Sequence, residues 1–275
     1  MAPRGRNRSL ILAPVETTLI RPSENLHSHL IRAVLFDYGG TLVRPKKPWE
    51  ETSAEPLRSV YTLLHGYDPK ISFQAFLELD ESIFQKYSKL EADENRDIPD
   101  IVKYEEIVDR LFPNRSRAWR ERVARKANRV WWDTLTPNWV IRKNARKTLA
   151  ELRSMKLQLA IVSDHHNHDA LTRHLSRLGI SSNFSHVFSS TQMGVRKPDR
   201  RIFARCLSLM KIRRQEAIFV GDSLEYDVEG GRRASIRTIL IVDETPDNQG
   251  YQDAGTMADF TIHDLREIPR IVSSL

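Results

Sequence analysis

The chain has 275 residues, enough for one large domain or two modest ones with a sizeable core. Forty per cent hydrophobic and 29 % charged residues exclude wholesale disorder, and no apolar run approaches the roughly 18 residues that a membrane span needs. The net charge of +7 suits acidic partners such as phosphorylated metabolites or nucleic acid, or serves solubility alone. The single cysteine, Cys206, cannot form an internal disulfide, which points to a reducing, cytoplasmic compartment.

Arg4, Arg6 and Arg8 precede a short apolar stretch, Ser9–Val15, which Pro14 interrupts and which is too brief for a signal peptide. The Arg-rich, acid-poor start is only loosely like a transit peptide, and Glu16 and Glu24 count against that. Residues 1–30 are therefore expected to form a flexible extension. Ala33-Val-Leu-Phe36 then reads as a buried parallel strand that stops at Asp37 and a glycine pair. From 46 to 138 no strand pattern appears. Pro56–His65, Ser72–Leu90, Asp100–Phe112 and Ser116–Trp132 read as four helices, with breaks at Gly66–Pro69, Asn95–Pro99 and Pro113-Asn114.

Beyond the helices, Ile141, Ala145, Leu149 and Leu152 recur at helical spacing, and so do Leu171, Leu175 and Leu178, with Gly179 as a terminator. Ile202, Phe203, Cys206, Leu207 and Met210 form another apolar helix face, with Pro198 in its first turn. Short apolar runs at Leu157–Val162, His186–Ser189, Ala217–Val220 and Arg237–Val242 read as strands between these helices. Strands alternating with helices predict an α/β fold with a parallel sheet covered on both faces. The expected division is a core of residues 31–45 and 139–275 with a helical domain, 46–138, inserted after the first strand.

In such a sheet, ligands bind at the carboxyl ends of the strands. The first strand delivers Asp37, the second Ser163, the loop after the third Lys197, and the fourth Gly221-Asp222 with Asp227 following. Asp37 and Asp222 offer hard oxygen ligands that suit Mg²⁺. The Asp37 carboxylate can attack phosphorus and form a covalent intermediate. Lys197 and Ser163 can hold phosphoryl oxygens, and phosphoryl transfer depends chiefly on such positioning and charge neutralisation. Each residue alone has an ordinary alternative: Asp37 or Asp222 in a turn, Ser163 as a helix N-cap, Lys197 as a solvated charge. The ordered placement of all four at strand ends favours a functional site.

These segments, Phe36-Asp37-Tyr38-Gly39-Gly40-Thr41-Leu42, Ser163, Lys197 and Gly221-Asp222…Asp227, resemble the four ordered motifs of the haloacid dehalogenase-like superfamily. The resemblance covers about 31–44 and 138–265, and it implies a Rossmann-like core with an α-helical cap. It further implies Asp37 as nucleophile and Mg²⁺ held by Asp37, the Gly39 carbonyl and Asp222, with Asp227 supporting the metal shell. Ser163 and Lys197 would hold the phosphoryl group, joined by Thr41, Gly40, Asp164 and His165, with Thr41 also shaping the loop. The activity implied is a Mg²⁺-dependent phosphatase acting on a small phosphorylated metabolite through an aspartyl-phosphate on Asp37.

One position departs from the pattern. Most phosphatases of this superfamily carry a second Asp two residues after the nucleophile, which protonates the leaving group and later activates water; here that residue is Gly39. Losing a general acid/base typically costs about 10²–10⁴-fold. Either the substrate has a good leaving group such as an acyl phosphate, or His165, His166 or His168 stands in, or the chain is a weak or inactive binding protein. Dehalogenases and phosphonate-cleaving relatives also lack that Asp. Dehalogenases, however, work without Mg²⁺ and do not keep the Gly-Asp motif, and phosphonate cleavage needs a Schiff-base lysine, for which Lys46 and Lys47 are candidates by proximity alone. The Asp164–Asp169 histidine cluster reads as a polar loop touching substrate or cap rather than a second metal site. Arg115, Arg117, Arg120, Arg122, Arg125, Lys126 and Arg129 read as a solvated basic face. They leave nucleic acid open as a partner but not the expected one, since no nucleic-acid motif accompanies them. Trp131 and Trp132 are expected in the core of the helical domain.

Overall fold

A computed structural model describes residues 30–242 and 257–275. The N-terminal stretch expected to be a flexible extension lies, apart from Leu30, outside the described residues. In β1 (Ala33–Phe36) all four side chains are buried, and they alternate between two hydrophobic clusters. Val34 and Phe36 join one, Ala33 and Leu35 the other. That alternation explains the uninterrupted apolar run: a strand covered on both faces has no solvent side to leave polar.

Short antiparallel strands β2 (Val43–Pro45) and β3 (Trp139–Ile141) flank a helical insert of α1 (Trp49–His65), α2 (Phe73–Glu94), α3 (Asp100–Leu111) and α4 (Arg117–Leu135). The chain continues through α5 (Ala145–Ser154), β4 (Gln158–Ser163), α6 (His168–Arg177), β5 (His186–Ser189), α7 (Ser190–Met193) and α8 (Arg200–Met210). It closes with β6 (Ala217–Gly221), α9 (Glu229–Arg233), β7 (Arg237–Ile241), β8 (Phe260–Ile262) and α10 (Ile268–Ser273). Six strands form one parallel sheet in the order β5-β4-β1-β6-β7-β8. Leu149, Leu152, Leu171 and Leu175 of α5 and α6 cover one face; Ile202, Phe203, Cys206 and Leu207 of α8 cover the other. The expected α/β architecture is what the chain adopts.

Three local expectations need correction. Ile141 belongs to β3 and not to the following helix, because Asn144 turns the backbone to φ 66° before α5 begins. Pro198 precedes α8, after a cis peptide bond, because the Asp199 side chain accepts from the Arg201 N–H and sets the N-cap there. Finally, α1 starts at Trp49 and carries Pro56 inside it, forgoing one backbone hydrogen bond. The strands β2, β3 and β8 were not anticipated; three residues each are too few to show a period.

The insert has its own core, in which Val60, Leu64, Phe76, Ile83, Ile107, Val108 and Val123 are buried. Its join to the sheet is polar. Asp97, between α2 and α3, is buried and pairs with Arg196 of the sheet half at 3.0 Å, while Ser190 donates to its second oxygen. Beside it His166 lies 3.2 Å from Glu91, which also accepts from the Ile98 N–H at 2.9 Å. Burial opposes ionisation of Glu91, but the hydrogen bonds from His166 and Ile98 prevail and hold it down from 4.5 to about 2.

Removing one partner of a buried pair strands the other, which typically costs about 3–5 kcal/mol. Asp97→Ala is therefore expected to lower unfolding stability by that order, read from urea denaturation, with Asp97→Asn losing less because it still accepts from Ser190. A carboxylate held below its unfolded value stabilises the fold above that value and loses this contribution as pH falls through the folded one. Glu91→Gln should accordingly flatten the loss of stability between pH 4.5 and about 2. An acid limb identical to wild type would rule out this role for Glu91.

Candidate active site

The register of the central strands brings the polar strand ends together. Phe36 pairs with Ile161 of β4 and Val220 of β6, so Asp37, Ser163 and Asp222 leave the sheet at nearly one level. The Asp37 N–H donates to the Val220 carbonyl at 2.8 Å. Lys197, after α7, reaches the same point from the far side. Its ammonium donates to Asp37 Oδ1 at 2.6 Å and to Asp227 Oδ1 at 2.7 Å. Its own N–H donates to Asp164 Oδ1 at 3.0 Å.

Asp227 lies in a single π-helical turn, Leu224–Val228, that points its carboxylate back at the strand end. Its Oδ2 accepts from the Asp222 and Ser223 N–H groups, both at 3.0 Å. This return needs glycine at 221, since a Cβ there would stand 2.3 Å from Asp227 side-chain atoms. Gly40 is constrained more severely. Its φ of +86° is the left-handed region, and a Cβ would come 2.1 Å from Asp222 Oδ2.

Asp37, Asp222 and Asp227 each offer a ligand oxygen, all within 4.8 Å of one another, the one such His/Cys/Asp/Glu group found among the described residues. Burial raises Asp37 well above the usual carboxylate range; Lys197 opposes this, while Asp227 and Asp222 add to it. Asp222 is raised too, by burial and then by Asp227. Burial lowers Lys197, but its carboxylate neighbours outweigh that and hold the ammonium charged. Three carboxylates thus face one ammonium. Asp37 Oδ2 is buried without a hydrogen-bond partner, an exposed liability unless a ligand engages it.

A cavity of about 580 Å³ opens over this cluster, lined by Asp37, Gly39, Ser163, Asp164, His165, Lys197, Asp222 and Asp227. The ordinary alternatives do not describe these residues. Asn167, not Ser163, caps α6, and Lys197 is buried rather than solvated. Thr41 and Gly40, expected among the phosphate-binding set, do not line the cavity. Thr41 is buried and its hydroxyl donates to Asp222 Oδ1 at 3.0 Å, so it orients a carboxylate instead.

The histidines separate. His165 is half-buried in the cavity wall, where desolvation first, then the charge of neighbouring histidines, lowers it to about 3. It is neutral, with Nδ1 accepting from the Asn167 N–H at 3.0 Å. His166 faces Glu91 and Asp97, and His168 lies 3.2 Å from Ser189. The loop therefore does join the helical insert, where the Asp100 N–H also donates to the His166 carbonyl at 3.1 Å.

Several cavity residues escaped the sequence reading. Trp132 lines the cavity and is not in the insert core: its indole N–H donates to Asp100 at 3.0 Å and its ring lies 4.5 Å from His165. Trp131, by contrast, packs against that core as expected. Trp49, Trp139, Arg196, Tyr226 and the Tyr38–His174 pair were not anticipated. No spacing marks them, because they come from unconnected segments. The basic residues of α4 do not line this cavity; Arg117, Arg120 and Arg129 pair with Glu121, Asp109 and Asp133.

Comparison with known proteins agrees with this geometry. Residues 31–235 match the haloacid dehalogenase-like hydrolase family. A glyceraldehyde 3-phosphate phosphatase of Methanopyrus kandleri is 26 % identical over 251 residues, 90 % of this chain and 99 % of that protein. Among solved structures, a 2-haloacid dehalogenase from Pseudomonas syringae superimposes with a TM-score of 0.64 at 18 % identity, covering 89 % of this chain and 99 % of its own. A phosphatase from Thermococcus onnurineus gives 0.58 at 20 %, covering 88 % and 98 %. At such identities the superpositions speak for the fold alone, whereas the family match spans β1 to β6, the helical insert and every strand end described above. The chain belongs to the haloacid dehalogenase-like hydrolases.

Proposed function

We infer that this hydrolase is a Mg²⁺-dependent phosphatase acting on a small phosphorylated metabolite through an aspartyl-phosphate on Asp37. The observation that carries the reading is the buried, unpartnered Asp37 Oδ2 in a cluster of three carboxylates that only one ammonium balances. A hard divalent cation fits that all-oxygen set and its excess negative charge. Asp37, Asp222 and the Gly39 carbonyl would hold it, with Asp227 supporting them. When bound, it would offset the repulsion between an anionic nucleophile and an anionic substrate.

In this reading the Asp37 carboxylate attacks phosphorus, and the ester oxygen leaves with the bonding pair. Lys197 neutralises charge on the transferring group, with the Ser163 hydroxyl holding a phosphoryl oxygen. Water then attacks the phosphorus of the aspartyl-phosphate, releasing phosphate and restoring the carboxylate. The full-length relative named for glyceraldehyde 3-phosphate supports phosphorus chemistry over carbon–halogen cleavage. Phosphonate cleavage is not favoured: neither Lys46 nor Lys47 lines the cavity, and Lys47 pairs with Glu51 on the surface. We further take residues 46–138 as a cap over a core of 31–45 and 139–275, because Trp49, Trp132, Leu135 and Thr136 wall the cavity from above. A single buried cysteine suits a cytoplasmic setting.

The direct test is phosphate release from acetyl phosphate or p-nitrophenyl phosphate with and without Mg²⁺. Asp222→Asn should weaken Mg²⁺ binding and abolish turnover, while circular dichroism and melting remain close to wild type. Full Mg²⁺-dependent turnover by that variant would discard the metal site.

Gly39 generates the second prediction. Because His165 is neutral and His166 is held by Glu91, neither histidine replaces the missing acid, so the rate should fall steeply as the leaving group becomes more basic. Gly39 has no positive φ, and a Cβ there would meet Trp139 at an ordinary 3.4 Å. Gly39→Asp should therefore fold and raise alkyl-ester turnover by up to about 10²-fold. A flat dependence on leaving-group basicity in the wild type would instead assign the proton to His166.

A further inference from the structure

The chemistry above uses the floor of the cavity and leaves its walls unassigned. Those walls are aromatic, with Trp49, Trp132, Trp139 and Tyr226 all lining the space above Asp37. Trp49 and Tyr226 remain 52 % and 38 % exposed, although large apolar side chains are generally withdrawn from water. Aromatic surface presented at the mouth of a cavity is the usual mark of a ligand that covers it. Trp132 is held rigidly for such a role by its bond to Asp100 and its contact with His165. Trp139 stands against Gly39, beside the position where the missing carboxylic acid would serve the leaving group.

The charges point the same way. Among the described residues lining the cavity, Lys197 is taken by Asp37 and Asp227, and Arg196 by Asp97. No further lysine or arginine lines it, so a second anionic group on a bisphosphate or a phosphorylated acid would have to compete with Asp97 for Arg196. One phosphoryl group with a flat apolar body does not. Two separate features of the leaving-group side therefore agree: it offers no acid, and its wall is aromatic. A phenolic oxygen answers both, since a phenolate departs without protonation far more readily than an alkoxide, and its ring stacks on tryptophan.

Resting on the phosphatase reading, we propose that the substrates are aryl phosphate monoesters whose ring is received by Trp49, Trp132, Trp139 and Tyr226. Asp37 forms the new bond to phosphorus, the P–O(aryl) bond breaks, and the electron pair leaves on the phenolate, which takes its proton from water. Hydrolysis of the aspartyl-phosphate consumes one water, so the sum is aryl phosphate plus water giving phenol and inorganic phosphate.

The experiment separates ring from leaving group with four compounds on the full chain and Mg²⁺: 1-naphthyl phosphate, phenyl phosphate, acetyl phosphate (no ring) and benzyl phosphate (a ring on an alkoxide). The expected result is a KM for 1-naphthyl phosphate about tenfold or more below that for acetyl phosphate, from stacking on at least two rings. Benzyl phosphate should bind as well as phenyl phosphate but turn over more slowly. Trp132→Leu should raise the naphthyl KM about tenfold more than the acetyl phosphate KM; Trp49→Ala, on an exposed position, gives the same readout if the first variant does not fold. Equal KM values with and without a ring, or variants that weaken both substrates alike, overturn the proposal and leave the phosphatase reading standing. If none of the four is hydrolysed, the phosphatase reading fails, and binding decides the aromatic site by itself. By calorimetry 1-naphthylmethylphosphonate should bind at least about tenfold more tightly than methylphosphonate, and equal binding overturns it.

Discussion

The buried ammonium of Lys197 is the constraint on which the rest of the site depends. Withdrawing an ammonium from water costs several kcal/mol after relaxation, roughly, and only close, well-made partners offset it. Asp37 and Asp227 supply them at 2.6 and 2.7 Å. To be there, Asp227 must fold back over the end of β6 and take the Asp222 and Ser223 N–H groups, which in turn leaves no space for a side chain at 221. Thr41 and Gly40 close the arrangement around Asp222 from the other strand. Each of these contacts makes sense only with the others in place. The cluster is a polar network of the kind that is costly when half satisfied and rigid when complete.

The same region ties the helical insert to the sheet. Arg196, the neighbour of Lys197 in sequence, pairs with Asp97 of the insert, and Ser190 bonds the same carboxylate. A displacement of the insert would therefore pull on the loop that carries Lys197. Floor and wall of the cavity are mechanically joined there by a buried ion pair. Its strength depends on staying dry.

The basic residues of α4 lie away from the cavity. Arg117 and Arg129 of α4 meet carboxylates one turn away, Arg120 meets Asp109 of α3, and Arg115 and Lys126 lie over the rings of Trp119 and Tyr67. Such exposed pairs contribute little to stability. None of them reaches the cavity, where the local balance is negative despite the net +7 of the whole. Global charge and site charge are thus opposite in sign.

Much of the core was legible in the residues themselves. Apolar runs ending in Asp37, Ser163 and Gly221-Asp222 carry their own geometry, because a strand buried on both faces must be apolar throughout and its polar end must emerge at the sheet edge. The glycines at 40 and 221 belong to the same local logic. The walls of the cavity did not announce themselves. Trp132 read as an ordinary core tryptophan, and nothing in the sequence singled out Trp139 or Arg196, since a side chain's neighbours across the fold leave no period in its own segment. Thr41, expected in the phosphate-binding set, donates its hydroxyl to Asp222 at 3.0 Å, a contact between distant segments that no local pattern shows. Local sequence therefore determined five strands of the parallel sheet, the polar residues at their ends and the glycine loop after β1, for these depend on neighbours in the chain. Which aromatic rings face Asp37, and which cations are already spent, was decided by tertiary packing alone, because those contacts join residues that no short-range pattern relates.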